Sequence, residues 1–169
     1  MNSNVIGDKN SFAIEWSLLK SNSPYGSVVL WLNGFQIGAK GASEYLYQLK
    51  STLTILVEVK NELLKCYKNY LLLRVKDNEI WDVEEIGEYS IMASECSDDF
   101  GSRVFFDGNN FIILWQLVGK NYTYTGIKRR KLYRCEISDE VFTKVAYEFS
   151  LMYQDLYNNW DSYVKDLGE

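Results

Sequence analysis

The chain has 169 residues, an apolar fraction of 47% and a formal net charge of −5, which suits one globular domain over residues 1–169 and argues against a disordered protein. It lacks both the ~18 uninterrupted apolar residues of a membrane span and the pattern of a signal peptide, so we expect a cytoplasmic protein with no membrane partner. Histidine is absent, which disfavours His-based catalysis and metal binding, and the odd number of widely spaced cysteines disfavours a disulfide framework or a zinc site: Cys66, Cys96 and Cys135.

The first forty residues predict antiparallel strands. Residues 11–19 alternate between apolar and polar positions, which indicates a strand, and residues 27–32 are β-branched and apolar enough for a second one. Asn33-Gly34 follows at once, and because a type I′ turn needs positive φ at both central positions, this pair predicts a tight hairpin. Residues 35–38 should then form a short third strand.

A long amphipathic helix is expected next. Ser43 can cap its N-terminus, and apolar residues recur at three- and four-residue spacing as far as Tyr67. The leucine stripe of this helix is expected to pack in the core. Residues 70–75 could extend the helix but favour a strand, since the Asp77-Asn78 pair that follows marks a turn.

The rest of the chain predicts short strands and a closing helix. The expected strands, with a loop at 96–101 and a turn at 108–110, are residues 79–83, 89–93, 102–107, 111–118 and 131–137. Ser138 or Asp139 caps a helix whose apolar residues keep helical spacing almost to the C-terminus. Together these elements predict an α+β fold, an antiparallel β-sheet with two long amphipathic helices packed on one face and the other face free for a partner.

Charge is segregated along the chain. Every charged residue from 77 to 99 (the acidic segment) is Asp or Glu, and every charged residue from 120 to 134 (the basic segment) is Lys or Arg. A concentrated field of one sign speeds the docking of an oppositely charged macromolecule, so the acidic segment indicates a basic partner. The candidate docking residues, with one tryptophan as a possible aromatic anchor, are Trp81, Asp82, Glu84, Glu85, Glu88, Asp98 and Asp99.

Less specific explanations of these residues stay open. The acidic and basic segments could lie on neighbouring strands and partly neutralise each other, or form a solvated rim. Trp81 could be buried in the core. The acids could be ordinary solvated residues on turns: Glu84, Glu85, Glu88, Asp98 and Asp99.

Three groups of short patterns stand out along the chain: Ile6-Gly7-Asp8 with Phe12-Ala13-Ile14-Glu15, then Leu30-Trp31-Leu32-Asn33-Gly34 with Ile37-Gly38, and later Asp99-Phe100, Val104-Phe105 and Leu114-Trp115. Together they resemble a family of bacterial immunity proteins from polymorphic toxin systems, including contact-dependent growth inhibition. The resemblance covers the first forty residues best, whereas the middle and the end match only in their order of strands and a closing helix.

The resemblance implies stoichiometric binding of one cognate toxin C-terminal domain, often a nuclease, with no catalytic residues and no cofactor. A nuclease binds a polyanion and tends to carry a basic cleft, which an acidic protein could enter with the help of long-range steering. An acidic adaptor module for some other protein is the alternative, because it would share every feature except the N-terminal patterns.

Two further alternatives have weaker support. Tyr122 to Thr125 beside Lys128 to Lys131 mixes aromatic and basic residues as single-stranded nucleic-acid sites do, but the net charge of −5 and the lack of a binding signature disfavour a nucleic-acid partner. Carboxylate pairs could serve an enzyme or a hard cation, yet neither Glu84 with Glu88 nor Asp98 with Asp99 has a diagnostic spacing.

Overall fold

Eight strands form two antiparallel sheets in the computed structural model, which describes residues 3–18, 24–39, 41, 44–77, 79–92, 97–120 and 124–166. The strands are β1 (Asn4–Gly7), β2 (Phe12–Leu18), β3 (Tyr25–Leu32), β4 (Phe35–Ile37), β5 (Glu44–Tyr45), β6 (Phe100–Phe106), β7 (Asn110–Leu117) and β8 (Tyr133–Ser138). The helices are α1 (Tyr47–Glu58), α2 (Lys60–Leu73) and α3 (Asp139–Asp166). The expected α+β class, with antiparallel strands and amphipathic helices, is confirmed.

The first sheet has the strand order β1-β2-β3-β4, and β5 pairs with the start of β3. Strands β2, β3 and β4 were predicted from the sequence, whereas β1 and β5 were not. The expected hairpin turn is also present, since Asn33 and Gly34 have φ values of 50° and 80° in the left-handed region that a type I′ turn requires.

The second sheet has the order β6-β7-β8 and corresponds to the last three predicted strands. β6 begins at Phe100, inside the segment that was expected to be a loop. The β6–β7 turn is closed by an acidic side chain, because Asp107 Oδ1 accepts the backbone N–H groups of Asn109 (2.8 Å) and Asn110 (2.7 Å).

The expected single helix over residues 43–67 is two helices. The backbone changes direction at Val59, with φ −94° and ψ 24°, between the end of α1 and the start of α2. This break lets α1 pack against α3 while α2 packs against β6. Ser43, the expected cap, lies outside the described residues.

Three predicted strands are wrong. Residues 70–73 continue α2, because Tyr67 and Tyr70, on one helical face, both pack on the ring of Phe105. Residues 79–92 form turns and a 3₁₀ turn at Glu84–Ile86 rather than the expected strands at 79–83 and 89–93, and residue 93 lies outside the described residues. The apolar residues of this stretch pack down onto a sheet instead of pairing within one.

The closing helix joins the two sheets. Ser138 caps it as expected, with its Oγ accepting the N–H of Val141 at 3.3 Å. The ring of Phe142 stacks between Phe12 of β2 (5.0 Å) and Phe111 of β7 (4.0 Å) at the centre of the main core. Among the described residues, none of the helices combines the length and apolar character that a bilayer span requires.

One ion pair links the starts of α2 and α3. Lys60 Nζ donates to Asp139 Oδ1 and, at 3.3 Å, to Thr143 Oγ1, which in turn donates to Asp139 Oδ1 at 2.9 Å. Burial raises the pKa of the Asp139 carboxyl, but the hydrogen bonds from Lys60 and Thr143 and the Lys60 charge outweigh burial and hold this pKa below its ordinary value. Ionised Asp139 therefore stabilises the fold.

We expect Asp139→Asn to lower the free energy of unfolding by about 0.5–1 kcal/mol at pH 7, since this pair is partly exposed. A carboxyl whose pKa is lowered by folding gives its full stabilisation above the unfolded pKa of ~3.9 and loses it as the pH falls through the folded pKa. Urea unfolding at pH 7 and near pH 2.5 should thus show a deficit at pH 7 that is smaller at the lower pH. Glu140→Gln, in the same helical turn, is the control, and an equal deficit at both pH values would refute this account.

Candidate functional site

Residues 80–86 of the acidic segment cover one face of the second sheet. Its buried residues Ile80 and Ile86 pack with Phe105, Ile112 and Leu114 in a second apolar cluster, separate from the main core. Tyr67 and Tyr70 of α2 border the same cluster. These apolar side chains therefore pack the segment onto the sheet, and its charged side chains face solvent.

A buried arginine ties the segment to β6. Arg103 is only 8% exposed, and its Nη1 and Nη2 donate to the backbone carbonyls of Gly87 and Trp81, the latter at 3.0 Å. No described carboxylate lies within ion-pair distance of this guanidinium. Backbone carbonyls therefore bind it instead of a carboxylate.

Further hydrogen bonds join the segment to strand β6 and to helix α2. Ser102 Oγ is 2.7 Å from Ser90 Oγ and accepts the N–H of Ile91 at 3.1 Å, which holds the end of the stretch on β6. On the other side, Asn69 Nδ2 of α2 donates to the carbonyl of Glu85 at 2.7 Å. The carboxylates of the segment thus project from a backbone that is bonded to both a strand and a helix.

Five of the predicted docking residues are exposed. Within the described part of the chain none of them forms an ion pair, so their charges face solvent uncompensated by a close cation: Asp82, Glu84, Glu85, Glu88 and Asp98. Glu84 and Glu85 lie together on the 3₁₀ turn, and Glu88 follows directly. Asp98 lies apart from these three, just before β6.

Trp81 is half-buried and contributes to packing. It borders the second apolar cluster, and its ring lies 3.7 Å from the point where a Cβ on Gly101 would be. It also lines a cleft of about 460 Å³ between the acidic and basic segments, together with Asp77, Gln116, Val118, Arg130 and Leu132. One edge of the indole is therefore available at the surface beside the exposed acids.

Asp99 has a structural role at the end of the second sheet. Its carbonyl accepts the N–H groups of Val118 (2.8 Å) and Gly119 (2.9 Å), and its Oδ2 lies 3.5 Å from the hydroxyl of Tyr124. A Cβ on Gly119 would lie 1.6 Å from Asp99 Oδ1, so the carboxylate occupies the space that only glycine leaves free. These contacts distinguish Asp99 from the exposed acids, whose side chains face solvent.

The basic segment does not neutralise the acidic one through direct contacts. Lys120 and residues 128–131 are exposed and, within the described residues, form no ion pair. Arg134 pairs with Glu136 on its own strand at 2.7 Å. The two segments therefore present separate surfaces of opposite charge.

The described cysteines are not activated nucleophiles. Burial raises the pKa of Cys135 to about 12 and also raises that of Cys66, so both thiols stay protonated near neutral pH. The site therefore offers charge, carboxylate acceptors and one aromatic edge, which are features suited to recognition of a cationic surface.

Sequence reasoning missed the residues that hold this site together. Neither Arg103 nor Asn69 was assigned to a site from the sequence. One signal was available: Tyr67 and Tyr70 continue the three-residue spacing of the preceding helix and so indicate that the helix extends beyond Tyr67.

Residues 1–151 match the family model described as "Immunity protein 42". Among solved structures, the chain is similar to CdiI from Burkholderia dolosa AUO158, with 13% sequence identity and a TM-score of 0.50 over 86% of this chain and 97% of that one. At this identity the similarity shows a shared fold alone. No curated protein has a significantly similar sequence.

We expect Arg103→Met to lower the free energy of unfolding by about 1–3 kcal/mol, because the carbonyls of Trp81 and Gly87 lose their buried donors. Amide hydrogen exchange should also accelerate in residues 80–91 more than elsewhere. Arg129→Met is the control, since Arg129 is exposed and donates to a single carbonyl, that of Val118. Unchanged exchange in residues 80–91 would show that Arg103 does not hold the acidic segment in place.

Proposed function

This chain belongs to the immunity protein 42 family, and we propose that it neutralises one cognate bacterial toxin by binding the toxin's C-terminal domain in the cytoplasm. Membership of an immunity family supports a toxin-neutralising role and favours an inhibitor without catalytic activity. The predicted resemblance to bacterial immunity proteins is confirmed by the family model. Inhibition would be stoichiometric, with one immunity protein covering one toxin domain and no cofactor.

The observation that carries this proposal is the row of exposed carboxylates without cationic partners on the acidic segment. An unpaired charge on the surface costs little free energy because water solvates it. When a partner brings an opposite charge close to it, the attraction lowers the free energy of the complex. Asp82, Glu84, Glu85, Glu88 and Asp98 would form the charged contact, with half-buried Trp81 and Asp99 at its edge. A partner suited to this surface is basic.

A basic toxin domain is most readily a nuclease. Enzymes that bind nucleic acid collect Lys and Arg to contact phosphates, and a fixed row of carboxylates can make charge-assisted hydrogen bonds with the same side chains. Because Arg103, Ser102 and Asn69 already hold the backbone of the acidic segment, little ordering entropy would be lost on binding. We therefore propose that the acidic segment covers the nucleic-acid-binding surface of the toxin.

Co-expression with the toxin domain encoded immediately upstream tests the function. We expect a one-to-one complex by calorimetry and survival of cells that express this domain together with the immunity protein. An adaptor unrelated to toxins would give neither result. Absence of both binding and rescue would contradict the proposed function.

Reversal of three acids tests the docking surface. In Glu84→Lys/Glu85→Lys/Glu88→Lys, we expect association with the toxin domain to slow by roughly 10-fold or more at low salt, and by less at high salt, because steering depends on ionic strength.

The control makes the same change of net charge elsewhere, at exposed residues of α1 and α3: Glu58→Lys/Glu148→Lys/Asp155→Lys. Stopped-flow fluorescence at several salt concentrations would measure the association rates. Equal slowing in both triple variants would point to net charge instead of this surface.

A further inference from the structure

Three consecutive leucines are exposed at the end of α2. Leu71, Leu72 and Leu73 are 56%, 79% and 53% exposed. Single apolar residues on a surface are ordinary, but a run of three is unfavourable in water unless another molecule covers it. Consecutive residues of an α-helix project about 100° apart, so Leu72 and Leu73 lie on the side of Asn69, whereas Leu71 lies on the opposite side of the helix. We name Leu72 and Leu73 the leucine ridge.

The ridge is rigidly held. One helical turn earlier, Tyr67 and Tyr70 pack against Phe105, with ring centroids at 5.9 and 5.2 Å. The helix then ends in a defined cap, because Arg74 takes the left-handed conformation with φ 49°. The leucines are therefore presented on a fixed surface and not on a frayed end.

The leucine ridge adjoins the acidic segment. Asn69, whose amide is bonded to the carbonyl of Glu85, precedes Leu72 by three residues and Leu73 by four, so these side chains are neighbours on the helix, about 5–6 Å apart. A typical protein interface covers about 800 Å² on each partner, which is far wider than one helical turn. A partner that covers Glu84 and Glu85 would also cover the ridge.

Charge decides which kind of partner fits. Arg74, Lys76 and Lys68 are exposed near the ridge, and Lys76 lies 3.8 Å from Glu79. The cations are on α2 and in the residues just after it. On the side of the ridge that adjoins the acidic segment, exposed carboxylates such as Glu84 and Glu85 have no ion-pair partner within the described residues, so this side is acidic. A basic surface is therefore the complementary occupant.

We propose that the leucine ridge is the apolar centre of the toxin interface and the acidic segment its charged rim. This inference rests on the proposed function. The matching surface of the toxin would be an apolar recess bordered on one side by Lys and Arg. Interfaces commonly combine such an apolar centre with a polar rim, and the centre supplies most of the binding energy.

The two parts of the surface should affect different rate constants. Apolar contacts at the centre act mainly on dissociation, whereas rim charges act mainly on association. In Leu72→Ser/Leu73→Ser we expect dissociation from the toxin domain to be at least roughly 10-fold faster, with association nearly unchanged. Biolayer interferometry with the full immunity chain would measure both rates.

The matched control is Ile55→Ser/Leu151→Ser. It removes two apolar side chains from α1 and α3 that are also exposed, by 47% and 52%. We expect unchanged dissociation from the toxin domain. Because all four positions are exposed, each variant should keep its fold, which circular dichroism would verify.

The possible failures are distinguishable. If the wild-type chain binds the toxin domain and both serine variants dissociate at the wild-type rate, the ridge is not the interface centre, although the proposed function stands. If the wild-type chain does not bind the toxin domain, both proposals fall. A wild-type dimer that only the ridge variant disrupts, seen by sedimentation without toxin, would assign the ridge to self-association and overturn the inference.

Discussion

The second sheet is apolar on both faces, and the position of the acidic segment follows from that constraint. Successive residues of a strand point to opposite faces, so Phe111, Ile113 and Trp115 of β7 enter the main core while Ile112 and Leu114 point away from it. Full burial of such a side chain contributes about 1.5–3 kcal/mol, so the outward face needs a cover. Helix α2 and the apolar residues of the acidic segment supply it.

An irregular cover can be stable only if its backbone is hydrogen-bonded. Residues 79–92 are not paired as a strand. Turn hydrogen bonds and a bond from the Val104 N–H to the Tyr89 carbonyl satisfy part of this backbone. Side chains add to them: Arg103 binds two carbonyls, Ser102 accepts a backbone N–H, and Asn69 binds a third carbonyl. Because Arg103, Ser102 and Asn69 hold the backbone in place, the segment does not depend on ion pairs of its carboxylates for its position. A segment that is fixed in place but unpaired in charge suits a protein that recognises another protein, as expected of an immunity protein family.

Local signals predicted the elements that local chemistry controls. Asn33-Gly34 specified its hairpin because few residue pairs adopt positive φ at both positions, and Ser138 specified the start of α3 through a side-chain cap. Where tertiary packing determined the secondary structure, the predictions were wrong. The leucines at 71–73 resemble a strand in isolation, yet Tyr67 and Tyr70 pack on Phe105 and keep this stretch helical.

The sequence by itself determined the α+β class, the segregation of charge and the resemblance to immunity proteins, because composition, periodicity and short motifs are properties of the chain alone. Only the tertiary structure decided which acids are exposed. The carboxylate of Asp99 packs against Gly119, whereas Glu84 and Glu85 face solvent. Trp81, in the same segment, is half-buried. No local sequence pattern separates these residues. The physical reason is that exposure depends on contacts with β6, β7 and α2, which are distant in sequence and meet the acidic segment only after folding.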